Sequence, residues 1–205
     1  MPTQMEKWSA HASHVLDAFV GLKTRYAILD PLIFDKEVVA RWGSRERAEG
    51  FLHLRNALLY SCILDASNIA LDGDRRTPSV RKLVDALEDP ALVDTLREEY
   101  AVWNLVASAE VEPELLPLLQ AAEKREEGER RTQFDEHLAA LRARWAEFST
   151  SAVLNAFVTM RDKAIAHKEI QFVDGVYRAL NTASLGMKFG DLRAVITELQ
   201  NLSTW

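Results

Sequence analysis

The sequence predicts an all-α fold, a helical bundle with a small hairpin or extended loop near its C-terminal end. Three observations carry that expectation. Apolar residues recur at three- and four-residue spacing along most of the chain. Turn signals such as Asp30-Pro31, Asp72-Gly73-Asp74 and Asp174-Gly175 separate the periodic segments. Strand-like alternation is weak and falls on either side of Asp174-Gly175. With 205 residues, 48% hydrophobic and 27% charged, the composition suits one soluble globular domain over residues 1–205. Such a length buries roughly 70% of the surface that the unfolded chain exposes, so neither a disulfide nor a metal is needed for stability.

Taken in order, Glu6 to Leu29 reads as a helix whose apolar face holds Trp8, Val15, Phe19, Leu22 and Tyr26 or Ile28. Its end is expected at Asp30-Pro31, because the residue before a proline is pushed out of the helical region. Ser44 stands as N-cap of a second helix running to Leu71, with Leu52, Leu59, Ile63, Ala66 and Ala70 facing inward. That helix also carries Arg55, Asn56, Tyr60, Asp65 and Asn68, polar residues on an otherwise apolar element.

Thr77-Pro78-Ser79 opens a short third helix with Val80, Leu83, Val84 and Leu87 inward. Pro90 starts a fourth through about Ala107, on a stripe of Leu92, Leu96, Tyr100, Trp103 and Val106. The mixed-sign run from Glu123 to Arg131 is expected as a solvated helix end or a loop. A long helical pattern follows through Phe134, Leu138, Leu141, Trp145 and Phe148, then Ser149-Thr150-Ser151, then Ala152 to Val158. Beyond it, Glu169 to Val173 and Val176 to Leu180 form either a small hairpin across Asp174-Gly175 or an extended loop. Asp191 caps a last helix with Leu192, Val195, Ile196 and Leu199 as its stripe.

The bulk numbers exclude several function classes. The opening residues lack the basic-then-apolar layout of a signal peptide, and no stretch approaches the ~20 apolar residues of a membrane span, so a cytoplasmic location is expected. A formal net charge of −6 argues against broad electrostatic coating of nucleic acid, though not against a local basic pocket. Cys62 alone excludes an intrachain disulfide and reads as a small core residue. His11 and His14 have a metal-compatible spacing without accompanying acids or cysteines, so they read as solvated and no metal or cofactor is expected. Glycine-rich phosphate loops, nucleophile elbows and paired cysteines are missing from the sequence.

One stretch stands apart. Met160-Arg161-Asp162-Lys163-Ala164-Ile165-Ala166-His167-Lys168 places charge at the end of an apolar helical run. Val153, Phe157, Met160, Ala164 and His167 follow one helical line, and Leu154, Val158, Arg161, Ile165 and Lys168 its neighbour. Burying an unpartnered guanidinium or imidazole costs several kcal/mol, so something must meet Arg161 and His167.

The arginine and histidine separated by five residues resemble the signature of the HEPN superfamily, in which the residue after the arginine is commonly polar, as Asp162 is. The string Arg161-Asp162-Lys163-Ala164-Ile165-Ala166-His167 is similar to the abortive-infection U-type branch, as are Leu64 to Asp72 and Pro78 to Leu83 upstream. Many HEPN toxins carry a tyrosine two residues after the histidine. Glu169 stands there in this chain, which sets it apart from that tyrosine-regulated subgroup.

What the resemblance implies is a helical, metal-independent endoribonuclease acting as a homodimer, in phage defence or a toxin–antitoxin system with an antitoxin protein as partner. RNA cleavage by the 2′-hydroxyl needs a proton taken from that hydroxyl and one given to the leaving oxygen. Histidine titrates near neutrality and can do either, and arginine offers phosphate a permanently charged donor fork. Arg161, His167 and Asp162 are the candidate catalytic residues; Lys163, Lys168, Arg55 and Asn56 are candidate RNA-binding residues. On an α-helix, six residues separate Arg161 from His167 by about 120° and about 9 Å along the axis. That spacing favours two copies meeting at Ala164 and Ala166 and pooling their residues in one cleft. Two other readings of the same residues remain. Arg161, Asp162 and Lys163 can form a surface ion cluster with His167 as a helix C-terminal cation, or the fold can serve as a non-catalytic nucleotide-binding or protein-interaction module.

Overall fold

The computed structural model describes residues 3–43, 45–74, 76–103, 112–166, 170–173, 176–179 and 185–203. Its elements are α1 (Gln4–Phe34), α2 (Lys36–Ala40), α3 (Glu46–Leu71), α4 (Val80–Ala86), α5 (Pro90–Ala101), α6 (Leu116–Ser149), α7 (Ala152–Met160), a π-helical turn (Arg161–Ala166), strands β1 (Ile170–Val173) and β2 (Val176–Ala179), and α8 (Phe189–Ser203). The fold is all-α with one antiparallel hairpin, as the periodicity predicts. Backbone contacts divide it into two compact units, Met1–Leu83 with Ala146–Thr204, and Val84–Trp145. No helix among the described residues is long and apolar enough to cross a membrane.

In the first unit, α1 opens on a capping box. The Glu6 N–H donates to Thr3 Oγ1 at 3.1 Å, and the Thr3 N–H donates to the Glu6 carboxylate at 2.7 Å. The helix buries Val15, Phe19, Leu22 and Leu29, and it does not stop at Asp30-Pro31 as expected. A proline forfeits one backbone bond, but here tertiary contacts hold the turn. Leu29 is fully buried, and the Asp30 carboxylate accepts from Tyr26 Oη at 2.7 Å and Arg193 Nη2 at 2.6 Å. Asp35 then ends α1 and caps α2, a short helix that the sequence reading did not anticipate, through bonds from the Glu37 and Val38 N–H groups.

Ser44, the expected cap of α3, lies outside the described residues. The N-cap position belongs to Arg45, at φ 59° and without a side-chain cap bond. Phe51, Cys62, Ile63, Ala66, Ser67, Ile69 and Ala70 form the buried face of α3. Leu52, expected inside, is 44% exposed, because Trp42 stacks on its neighbour Phe51 at 5.1 Å and selects that line of the helix instead. Ser151 caps α7 by accepting from the Leu154 N–H, so the hydroxyl run after Phe148 marks a real break. Val173 pairs with Val176 and Ile170 with Ala179, so the hairpin is formed and not the extended loop. On α8 the buried stripe is Leu192, Val195, Ile196, Leu199 and Leu202. Asp191 sits inside its first turn, not at the cap, and its carboxylate accepts from the Lys188 N–H at 2.7 Å.

In the second unit, Asp89 caps α5, with Pro90 at its first position. The helix ends at Ala101, short of the expected Ala107; Val106 and Ala107 lie outside the described residues. Trp103, expected inside, is exposed, and the Arg130 guanidinium covers both it and Tyr100 at 5.2 Å. The charged run from Glu123 to Arg131 proves to be the interior of a 34-residue helix, not its end or a loop. Opposite charges four apart support it there, Arg125 with Glu129 and Glu127 with Arg131. Arg131 also binds Glu98 on α5 at 2.7 Å.

Candidate functional site

α7 packs Leu154, Phe157 and Met160 into the core of the first unit, with Phe157 1% exposed. Immediately after Met160 the backbone widens into the π-helical turn Arg161–Ala166. Such single turns close bonds over five residues instead of four and recur at functional sites. α-helical arithmetic therefore stops at Met160. The expected offset of about 120° and about 9 Å assumed an α-helix from Arg161 onward, and His167 lies outside the described residues.

Arg161 is drawn inward, its side chain 18% exposed. Two partners in the same chain meet it. Its Nε donates to Asp162 Oδ1 at 2.6 Å, and its Nη1 donates to Asn68 Oδ1 at 3.3 Å. A carboxylate on one edge and an amide oxygen on another offset the desolvation of the guanidinium and set the plane of its fork. The sequence offered two sources for whatever meets Arg161, a second copy and the polar residues of α3; within one chain α3 supplies Asn68.

Asn68 is placed by its neighbours. Ser67 beside it is fully buried, its hydroxyl donating to the Leu64 carbonyl at 2.9 Å, and Ile69 and Ala70 are buried too. One turn earlier on α3, Asp65 forms an ion pair with Arg25 of α1. Arg25, Asp65 and Asn68 border a cavity of about 200 Å³ together with Asp17. Polar contacts thus run from α1 through α3 to the turn that bears Arg161.

Of the other expected site residues, Asp162 is half exposed and Lys163 exposed. His167 and Lys168 lie outside the described residues. Arg55 and Asn56 precede Asn68 by 13 and 12 residues on α3, which sets them about 18–20 Å up the helix axis from it. The structure does not bring them to Arg161. Arg55 instead lies over the ring of Phe189 at 5.5 Å. Among the polar residues that the sequence singles out on this helix, Asn68 is the one delivered to the site. Its signal was a single amide within the otherwise small or apolar run Ala66-Ser67-Ile69-Ala70. Arg25 carried no comparable signal.

Two further candidates resolve differently. Burial pushes the Cys62 thiol up to about 11, against a weaker opposite pull from Arg25, so Cys62 is no thiolate nucleophile at neutral pH. His11, expected as solvated, is half-buried edge-on to Trp8 at 5.3 Å, whereas His14 is exposed. Burial, then Lys7, Lys82 and His14, hold the His11 imidazole below its usual range. Among the described residues no group of three or more His, Cys, Asp or Glu could hold a metal ion.

Chemically, a guanidinium held by a carboxylate and an amide oxygen can offer its remaining N–H donors to an anionic oxygen such as that of a phosphate. No curated protein and no solved structure matches the chain. A protein-family comparison does, with the HEPN AbiU2 family matched over residues 5–204. That span runs from the first turn of α1 to the last of α8 and takes in the clamped Arg161, and the chain belongs to the AbiU2 family of HEPN domains.

Proposed function

We propose that this protein is a metal-independent endoribonuclease that cuts RNA by attack of a 2′-hydroxyl on the adjoining phosphate. The observation that carries the reading is the held Arg161, a largely buried cation fixed by Asp162 and Asn68 at the head of a π-helical turn. In this mechanism the fork of Arg161 binds the scissile phosphate and stabilises the charge that builds on its oxygens. Asp162 keeps that fork oriented. His167 takes the proton from the 2′-hydroxyl, and the same residue of a second copy returns one to the leaving 5′-oxygen. The product strand ends in a 2′,3′-cyclic phosphate. Lys163 within the motif and Lys168 directly after it attract the RNA backbone.

The active form is a homodimer that brings two Arg161-His167 turns together, in the setting of phage defence or a toxin–antitoxin pair whose antitoxin protein holds the activity off. The test is cleavage of single-stranded and transfer RNA by wild type beside His167→Ala, in EDTA. Cleavage is expected only in the wild type, leaving cyclic phosphate ends. Undiminished cutting by His167→Ala overturns the assignment, and a wild type without ribonuclease activity or toxicity favours an interaction module.

A further inference from the structure

Met160, the last residue of α7, also lines a second recess that the cleavage mechanism does not use. It is half-open, about 420 Å³, and within the size range of small-ligand pockets. Leu59 and Ile63 of α3 and Phe157 and Met160 of α7 form its apolar walls. Met160 is the residue immediately before Arg161, so the recess begins one residue from the proposed phosphate site.

Its border has a different chemistry from its walls. Tyr60 and Phe189 line it and remain 38% and 44% exposed, two large rings within reach of solvent. The Arg55 guanidinium lies over Phe189, and its buried Nε has no hydrogen-bond partner among the described residues. Lys188 adds a second cation at the border. The acid beside it, Asp191, directs its carboxylate to the Lys188 main-chain N–H. In a chain of net charge −6, exposed rings interleaved with cations are a local reversal of character. Single-stranded nucleic acid is bound by this combination, with bases stacked on aromatic faces and phosphates held by arginine and lysine. An apolar peptide side chain would fill the walls equally well but would leave Arg55 and Lys188 without a counter-charge.

We propose that this recess is a nucleobase subsite. It takes one unstacked base of a single-stranded RNA whose backbone continues to Arg161, with the ring of Phe189 or Tyr60 on its face. Arg55 and Lys188 hold the phosphates of the strand as it leaves. The assignment rests on the ribonuclease reading and adds the substrate class, an unpaired strand read through one base.

The test measures binding, so it does not depend on catalysis. A short fluorescein-labelled 2′-O-methyl oligoribonucleotide, which cannot be cut by 2′-hydroxyl attack, is titrated by anisotropy against the full-length wild type, Phe189→Ala, Phe189→Trp and Arg55→Gln. The same strand made fully abasic is the control. Loss of one stacked base weakens binding roughly five- to hundredfold, so Phe189→Ala should bind the base-bearing strand that much less and the abasic strand as the wild type does. Phe189→Trp should restore affinity. Arg55→Gln should weaken both strands and lower the salt slope by about one.

Equal binding of the base-bearing strand by wild type and Phe189→Ala overturns the subsite, even if the enzyme cuts RNA. Base-dependent binding without cleavage keeps the subsite and defeats the ribonuclease reading. No RNA binding by the wild type defeats the subsite outright. So does loss, in Phe189→Ala, of a titratable apolar peptide with RNA affinity unchanged, which would assign the recess to a protein partner.

Discussion

The bond between Asn68 and Arg161 offers the sharpest test of how the site is built. Replacing Asn68 by alanine removes the oxygen that accepts from Nη1 and leaves that edge of an 18%-exposed guanidinium unmet. Hydrogen bonds to charged groups contribute about 1.5–3 kcal/mol, and 3.3 Å lies just beyond the usual N–H···O range, so the low end applies. Asn68→Ala should therefore cost about 1.5 kcal/mol in a urea titration. In an Arg161→Ala background the amide has lost its partner, and the same change should cost only a few tenths. A double-mutant cycle reads the difference as a coupling of about 1 kcal/mol. The activity arm is independent of stability. If Asn68 orients the fork, Asn68→Ala should lower kcat more than it raises KM, since the orientation matters most when charge builds on the phosphate. Coupling indistinguishable from zero, with kcat unchanged, would refute the claim that α3 positions Arg161.

The remaining expectations address chemistry, core and charge. His167→Ala should lower the cleavage rate by ~10²–10⁴, the usual contribution of a general acid–base group, with little change in RNA affinity by anisotropy. Phe157→Ala, at a position 1% exposed beneath the Arg161 turn, should destabilise by about 3–5 kcal/mol in urea. The Arg193 guanidinium, then the Tyr26 hydroxyl, hold the Asp30 carboxyl below its ordinary range. A carboxyl depressed on folding adds stability that is present above the unfolded value near 3.9 and lost as pH falls through the lower folded value. Both side chains are more than a third exposed, so solvent screening keeps the effect small. Arg193→Ala should thus be less stable than wild type at pH 6, and the gap should close by pH 2; a gap that persists in acid would assign the loss to packing over Phe34 instead.

Much of this molecule was legible in the sequence because local chemistry decides it. Helical spacing alone marks α1, α3, α5 and α8, and Asp174-Gly175 marks the two-residue link that the hairpin register requires. The block from Met160 to Lys168 stands out because charge on a core line needs a partner, whatever that partner is. Boundaries were less legible. Pro31 lies within α1 because Arg193, far along the chain, helps hold the turn around Asp30, and no local preference records that. The charged stretch near Arg131 stays helical partly because Glu98 on another helix binds it.

The site divides the same way. The sequence by itself singled out Arg161, Asp162 and His167 as residues with chemistry to offer, since side-chain type and spacing are local properties. Only the tertiary structure decided that Asn68, and not Arg55 or Asn56, reaches Arg161. α3 is one rigid rod with all three in polar positions, and which of them meets α7 depends on where two helices cross. The π-helical turn is likewise set by packing. Met160 and Arg161 are consecutive, and both are drawn inward, one to apolar walls and the other to Asn68. The backbone widens at that point, a change that a fixed repeat of 3.6 residues cannot express.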